Sequence, residues 1–450
     1  MIIMNHLDNL VKMYWEAVRT VDPGMLITSY VKKENGKLII KNPGTIISED
    51  LSRYKQIIVC GIGKAAARMA AAIEQVLGDD IAHGLVITKY GHTVKTKKIK
   101  VMEAGHPLPD ENSVRGAKVL TQMAREADEE TLVINLISGG GSALFCLPAG
   151  ALTLADKIQT TKLLLACGAD IDEMNCVRKH LSRVKGGGLA RIAYPARLIN
   201  LILSDVISDR IDTIASGITA PDPTTFADAL AIARKYSLED KLSPAVMEHL
   251  LQGTKGLIPE TPKENDSAFK KTVNIILGNN KLACQAALRE AKNLGYEARV
   301  LTTTLTGEAS EAGVMFAQRA KELITDKTGE TKNSLLINGG ETTVTIQGEG
   351  KGGRNQEMAL AFACELNRIQ PGARNVYFLS AGTDGSDGPT DAAGAFVTPE
   401  LIEEMKNIAA TAEAHLARND SYNFFAKTGC LFKTGPTYTN VCDIQILLVV

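Results

Sequence analysis

Short apolar runs recur along this chain, each ending in glycine or a small polar residue just before helical periodicity sets in. They read "IIVCGIG", "LVINLISGGGS", "LINLILSDVIS", "VNIILGNN", "SLLINGGE" and "VYFLSAGTDG". Continuous Ile, Val and Leu without alternation marks strands covered on both faces, which predicts an α/β fold on parallel sheet with helices on both sides. Ligands of such sheets lie beyond the carboxyl ends of the strands, so each glycine-rich end is a candidate binding loop. Two stretches depart from this rhythm. "TTVTIQGEGKGG" alternates and then turns on glycines, predicting an antiparallel edge hairpin in the second domain. "MIIMNHLDNLVKMYWEAVRT" carries Asp8, Lys12 and Glu16 at helical spacing among apolar residues, predicting an amphipathic helix of the mature protein instead of a signal peptide.

At 450 residues the chain exceeds what one hydrophobic core usually serves. Proline and mixed charge collect in "SPAVMEHLLQGTKGLIPETPKENDS", which predicts a linker over 253–266, a first domain over 1–260 and a second over 265–450. Basic and acidic residues balance at 50 against 51, for a net charge of -1. That gives no sign of the broad positive field that nucleic acid or an anionic membrane usually requires, so any bound anion is expected to be small and held locally. No run approaches the ~18 apolar residues of a membrane span. Cys60, Cys146, Cys167, Cys176, Cys284, Cys364, Cys430 and Cys442 lie scattered with no close C-x-x-C pair. They predict buried free thiols in a reducing, cytoplasmic setting, without a zinc site or disulfide framework.

The chemistry concentrates at the strand ends. In "IIVCGIGKAAARMA", Lys64 stands at the predicted start of an alanine-rich helix, where the positive end of the dipole disfavours a cation and attracts anions, so the lysine asks for an anionic partner. Gly61, Gly63 and Ala66 fit G-x-G-x-x-G/A, yet the next strand, "HGLVITKYGHT", ends in Lys89 and Tyr90 where an NAD enzyme carries an acidic residue, although a nucleotide with a 2'-phosphate tolerates Lys89. Ala65 after Lys64 rules out a Walker A loop. In "SGGGSALF", Gly139, Gly140 and Gly141 bring bare backbone N–H groups near an anion, with Ser138 and Ser142 as further donors. "VRKHLSRVKGGGLARIAYP" gathers Arg178, Lys179, Arg183, Lys185 and Arg191. Lys179 and Arg183 share a helical face, while Lys185 before Gly186 repeats the cation-and-glycine pairing of Lys64. Asp205 at a strand end suits magnesium coordination or orientation of a substrate hydroxyl, and Asp209 and Asp212 suit caps. Arg354 opens a second helix beside glycines, poised for two-pronged binding of a carboxylate or phosphoryl group. Asp384, Asp387 and Asp391 in "SAGTDGSDGPTDAAGA" suit either solvated turns or a magnesium site beside a nucleotide phosphate.

Together "CGIGKAA", "EAGHPLPDENSVRGA", "LISGGGSAL", "VRKHLSRVKGGGLA", "LSDVISDRIDTIASGITAPDPTT", "NGGETTVTI", "GKGGRNQEMALA", "SAGTDGSDGPTDAAGA" and "TGPTYTNVCDIQI" resemble, in order and over nearly the whole chain, the class II glycerate 2-kinases. Some members of that family carry the label hydroxypyruvate reductase. The resemblance implies a Rossmann-like N-terminal domain with a parallel sheet, a smaller α/β C-terminal domain, and ATP- and Mg2+-dependent phosphorylation of D-glycerate at its 2-hydroxyl. It carries the family's essential lysine and arginine onto Lys64 and Arg354, and its L-S-D aspartate onto Asp205. Ser138 to Ser142, Lys185 and Gly186 then hold the nucleotide, with Glu341 and Asn440 joining that set and Asp384 and Asp387 placing the metal. A homodimer is the family-level expectation. One departure stands out: Tyr438 and Cys442 occupy positions where members read glycine and asparagine. Two other readings compete, an NAD(P)H-dependent hydroxypyruvate reductase and a non-catalytic sensor of a phosphorylated sugar acid. Hydride transfer does not need the surplus of anion loops, and a sensor does not need the acidic "GTDGSDG".

Overall fold

The computed structural model describes residues 6–325, 333–371, 373 and 375–450. After a small antiparallel sheet of β1 (Val31–Glu34), β2 (Lys37–Asn42) and β3 (Thr45–Asp50), the apolar runs form a six-stranded sheet. Its strands are β4 (Gln56–Ile62), β5 (Ile81–Lys89), β6 (Ile99–Ala104), β7 (Thr131–Ile137), β8 (Arg197–Leu203) and β9 (Thr272–Gly278), in the order β6-β5-β4-β7-β8-β9. Pairing is parallel from β6 through β8. Numbered within the sheet this is 3-2-1-4-5-6, the doubly wound Rossmann order, in which the direction of winding reverses between the first and fourth strands. The crevice of that switch point therefore opens at the ends of β4 and β7. β7 is buried along its whole length, which is why "TLVINLI" shows no alternation. Helices such as Ala66–Leu77 and Glu111–Glu126, the latter opened by an Asp110/Ser113 capping box, supply the covering layers.

The chain divides into two compact units, Pro23–Leu277 and a second made from Met1–Asp22 with Gly278–Val450. The division thus falls at Leu277/Gly278 and not in the proline-bearing stretch at 253–266. That stretch is bound to its own unit: Asp222 N donates to Pro262 O (2.9 Å), Thr261 Oγ1 to Asp222 Oδ2 (2.9 Å), and Arg191 pairs with Asp266 at 2.8 Å. "VNIILG", expected to open the second domain, is the edge strand β9 of the first sheet.

The second unit holds β10 (Glu297–Leu305), β11 (Ser334–Gly340), β12 (Val376–Gly382), β13 (Gly394–Val397), β14 (Leu431–Phe432) and β15 (Asp443–Val449), in the order β10-β11-β15-β12-β13-β14. This sheet is mixed: β10 and β11 are parallel, but β15 runs antiparallel to both its neighbours. An apolar run reads the same in either direction, so the sequence pattern does not distinguish the two. The expected N-terminal helix spans His6–Thr20, residues 1–5 lying outside the described part. It belongs to this second unit: Asn9 Nδ2 donates to the Tyr296 hydroxyl (2.8 Å), and the buried Tyr14 hydroxyl to Gly382 O (2.8 Å). "TTVTIQGEGKGG" forms no hairpin. Thr343 makes a parallel bridge to Glu308, and Asn419 Oδ1 accepts from the amides of Gln347 and Gly348, so side chains take the place of a partner strand. None of the cysteines forms a disulfide. Among the described residues no helix is long and apolar enough to cross a membrane.

Candidate functional site

In the first unit the two glycine loops are laced together at the switch point. Ser138 N donates to Ile62 O (3.0 Å), Lys64 N to Gly139 O (2.8 Å) and Ala65 N to Ser138 Oγ (3.0 Å). Gly63 has φ of 125°, and a Cβ there would lie 2.2 Å from Ser138 Oγ, so only glycine lets the strand ends close. Lys64 stands one residue ahead of the N-cap Ala65, not inside the first turn of the helix. Its side chain runs beside Gly140, whose missing Cβ would lie 3.3 Å from Lys64 Cγ and 2.9 Å from the His106 ring. The amides of Gly139 and Gly140 have no acceptor among the described residues. Those of Gly141 and Ser142 fall in a first helical turn, which leaves them without an intrahelical one. The helix that follows, Gly141–Leu144, is a single turn, so anion binding here rests on loop amides and not on a helix dipole. The Ser142 hydroxyl is already taken by Ser216 Oγ at 2.6 Å.

Asp205 lies just past β8. Burial raises its carboxyl above the usual range and the charge of Lys64 pulls it back, so the two groups act on one another. The structure thus brings Lys64, Asp205 and the 138–142 loop together. Lys185 is 2% exposed and donates to Ser142 O (2.8 Å), which puts it on the same loop. Its companions divide. Lys179 is buried against Asp222 (3.2 Å) instead of sharing a solvated face with Arg183, which is exposed beyond the helix. Gly186 spends its N–H on Ser216 O (3.0 Å) and does not offer it to a phosphate. Asp212 pairs with Arg210 at 2.8 Å.

In the second unit Arg354 begins the helix Arg354–Ile369, and its grip is already filled. Nε and Nη2 bind the two oxygens of Asp443 at 2.5 and 2.8 Å, while Nη1 meets Glu341 at 2.9 Å. Burial alone would lower the guanidinium, but Asp443 and Glu341 hold it above its ordinary value. Asp443 was not singled out from the sequence. It stands at the first position of β15 and is 0% exposed, and a carboxylate opening a wholly buried strand was the available signal.

Asp387 is a helix cap. Its carboxylate accepts from Asn355 N (3.1 Å), Gln356 N (2.8 Å), Asn355 Nδ2 (3.3 Å) and Gln356 Nε2 (2.9 Å). Burial pushes the group up to about 6 against the pull of those backbone donors. Both oxygens are engaged, so Asp387 does not fit a metal. Asp384 takes Ser386 N and Oγ at 3.0 Å on one oxygen, and Asp391 pairs with Lys433 at 2.9 Å. Among the described residues no group of three or more His, Cys, Asp or Glu is arranged to hold a metal ion. Asn440 Oδ1 accepts from Cys442 N at 3.3 Å and shapes the loop before β15.

Tyr438 and Cys442 both sit at left-handed φ, 62° and 67°. These are the two positions where the resembling family has glycine and asparagine, the residues that tolerate this region. Tyr438 is 43% exposed, so little packing is lost on truncation. Tyr438→Gly is expected to raise stability by about 1 kcal/mol, the strain of a side chain in that region, measured as a higher midpoint of urea unfolding.

Comparisons with known proteins bear on the family and the fold. Residues 9–251 match the model of a domain of unknown function (DUF4147), and residues 334–443 match the MOFRL family. A glycerate 2-kinase of Pyrococcus horikoshii is 40% identical over 100% of this chain and 98% of its own. A hydroxypyruvate reductase by name, from Agrobacterium vitis, is 41% identical over 87% of both chains. The solved structure of a glycerate kinase from Thermotoga maritima superposes with a TM-score of 0.82 at 38% identity, covering 98% of this chain and 99% of that one. With more than half its length under the first model and both models in sequence, the chain belongs to the DUF4147–MOFRL family, the glycerate 2-kinase family.

Proposed function

We propose that this chain transfers the terminal phosphoryl group of ATP to the 2-hydroxyl of D-glycerate, giving 2-phosphoglycerate and ADP. The observation that carries the reading is the juxtaposition, at a Rossmann switch point, of Lys64, the acceptor-less amides of Gly139 and Gly140, and Asp205. Phosphoryl transfer is mainly positioning and neutralisation of charge, and these groups divide the work. The amides and Lys64 hold an anion, the substrate carboxylate or the phosphoryl in flight. Asp205, with its carboxyl raised by burial, accepts the hydroxyl proton as oxygen attacks phosphorus. Magnesium, when bound, would neutralise charge on the phosphate oxygens. A set of cysteines without disulfides suits a cytoplasmic enzyme.

The reductase reading keeps one support, the strand order that dinucleotides use, but β5 ends in Lys89 with no carboxylate for a ribose. Carbon and phosphorus NMR of the protein with D-glycerate, ATP and magnesium, beside a tube holding hydroxypyruvate and NADH, decides between them. Phosphate is expected on C2 in the first tube. NADH consumption in the second, with no phosphorylated product in the first, would reverse the assignment.

A further inference from the structure

Beside the 138–142 loop the first unit contains a cavity whose polar wall carries only positive charge. Lys157, Arg178 and Lys185 line it with Ser142 and Cys146, among apolar neighbours that include Pro107, and no carboxylate lines it among the described residues. Lys157 is 8% exposed and gives Nζ to Leu181 O (3.0 Å), and Lys185 gives its Nζ to Ser142 O (2.8 Å). Both partners are neutral carbonyls. Among the described residues the guanidinium of Arg178 has no hydrogen-bond partner, and arginine does not shed its proton. Buried cations are normally paired, because an uncompensated charge in the interior is costly. Elsewhere in the same segment the rule holds, since Lys179 has Asp222 and Arg191 has Asp266. Burial and mutual repulsion lower Lys157 to about 8 and Lys185 well below its ordinary value, the response of ammonium groups that lack a counter-charge.

We propose that this cavity is the binding site of a phosphate group, with Lys157, Arg178 and Lys185 as its ligands. A dianion answers three cations better than a single carboxylate does, and the free fork of Arg178 matches phosphate geometry. Apolar walls such as Ile158 and Leu181 exclude water and strengthen the attraction. Whether the phosphate belongs to the nucleotide or to the phosphorylated product rests on the kinase reading. The site itself does not.

The test is calorimetric titration of inorganic phosphate into the full chain and into the Lys157→Met and Lys185→Met variants, with ATP and 2-phosphoglycerate titrated in parallel. One phosphate per chain is expected, weakened about tenfold or more in each variant. Loss of ATP affinity in both variants assigns the group to the nucleotide, and loss of 2-phosphoglycerate affinity assigns it to the product. Thermal unfolding guards against misfolding: without phosphate the variants should melt no lower than the parent, because each replaces an uncompensated buried cation by an apolar chain. Added phosphate should raise the midpoint of the parent alone. A parent chain that takes up none of the three ligands, or variants that respond to phosphate as fully as the parent, would overturn the assignment. Phosphate binding lost in the variants from a chain that phosphorylates no glycerate would remove the kinase reading and leave the site standing.

Discussion

Lys64→Ala is expected to lower kcat/KM for glycerate phosphorylation by about 10²- to 10³-fold, the range seen when one electrostatic donor to a developing charge is removed. The fold should hardly register the change. It is the backbone of Lys64 that laces the loops, through its N–H to Gly139 O and its carbonyl to Thr88 Oγ1 and His92 Nδ1, and alanine keeps all three. The unfolding midpoint is therefore expected to move within the ~0.5 kcal/mol typical of a surface substitution. A second readout separates an electrostatic role from a merely steric one. The charge of Lys64 holds the Asp205 carboxyl down against burial, so without it that carboxyl rises further. A base must be ionised to accept a proton, so the acid limb of the residual pH–rate profile should shift to higher pH. An Ala variant that unfolds at much lower urea, or whose acid limb stays in place, would assign Lys64 a different task.

Arg354→Ala is expected to behave otherwise, costing about 3–5 kcal/mol of stability in addition to activity. Its two-pronged partner Asp443 is 0% exposed, and truncation leaves that carboxylate without a counter-charge at the head of a buried strand. The double variant Arg354→Ala/Asp443→Asn should recover most of the loss in urea unfolding, because the stranded charge is gone, while turnover stays low. A single variant as stable as the parent would show that the pair contributes little to the fold and that Arg354 is held for ligand alone.

These two cations looked alike in the sequence, each beside glycines at the start of a helix, and the structure separates them. What was legible was local. Continuous apolar runs announced β4, β7 and β8, glycines announced the tight crossings, and the L-S-D aspartate landed beside Lys64. What was not legible was set by partners distant in the chain. Asp387 reads as a loop carboxylate until Asn355 and Gln356 fold onto it, and Lys179 reads as a solvated charge until Asp222 arrives. The prolines after Ser243 signalled a linker because proline and charge mark most linkers, yet here Pro244 opens a helix and the carbonyl of Pro262 accepts from Asp222 N. Lys157, the deepest surprise of the cation cavity, sits in an ordinary amphipathic stretch that no motif flags.

The helix His6–Thr20 has a consequence for how the protein is made. Domains fold as they leave the ribosome, at about 5–20 residues per second. Pro23–Leu277 emerges as one uninterrupted stretch and can fold while synthesis continues. The segment ahead of it cannot finish packing, since Gly382, which accepts from Tyr14, and Thr439, which donates to Val21 O at 2.7 Å, are translated after that stretch. Its apolar face stays uncovered until those residues emerge. A fragment starting at Gly278 would in turn lack the surface that covers Tyr296 and Gly382, so the segment to carry along when that half is expressed alone is the distant helix His6–Thr20.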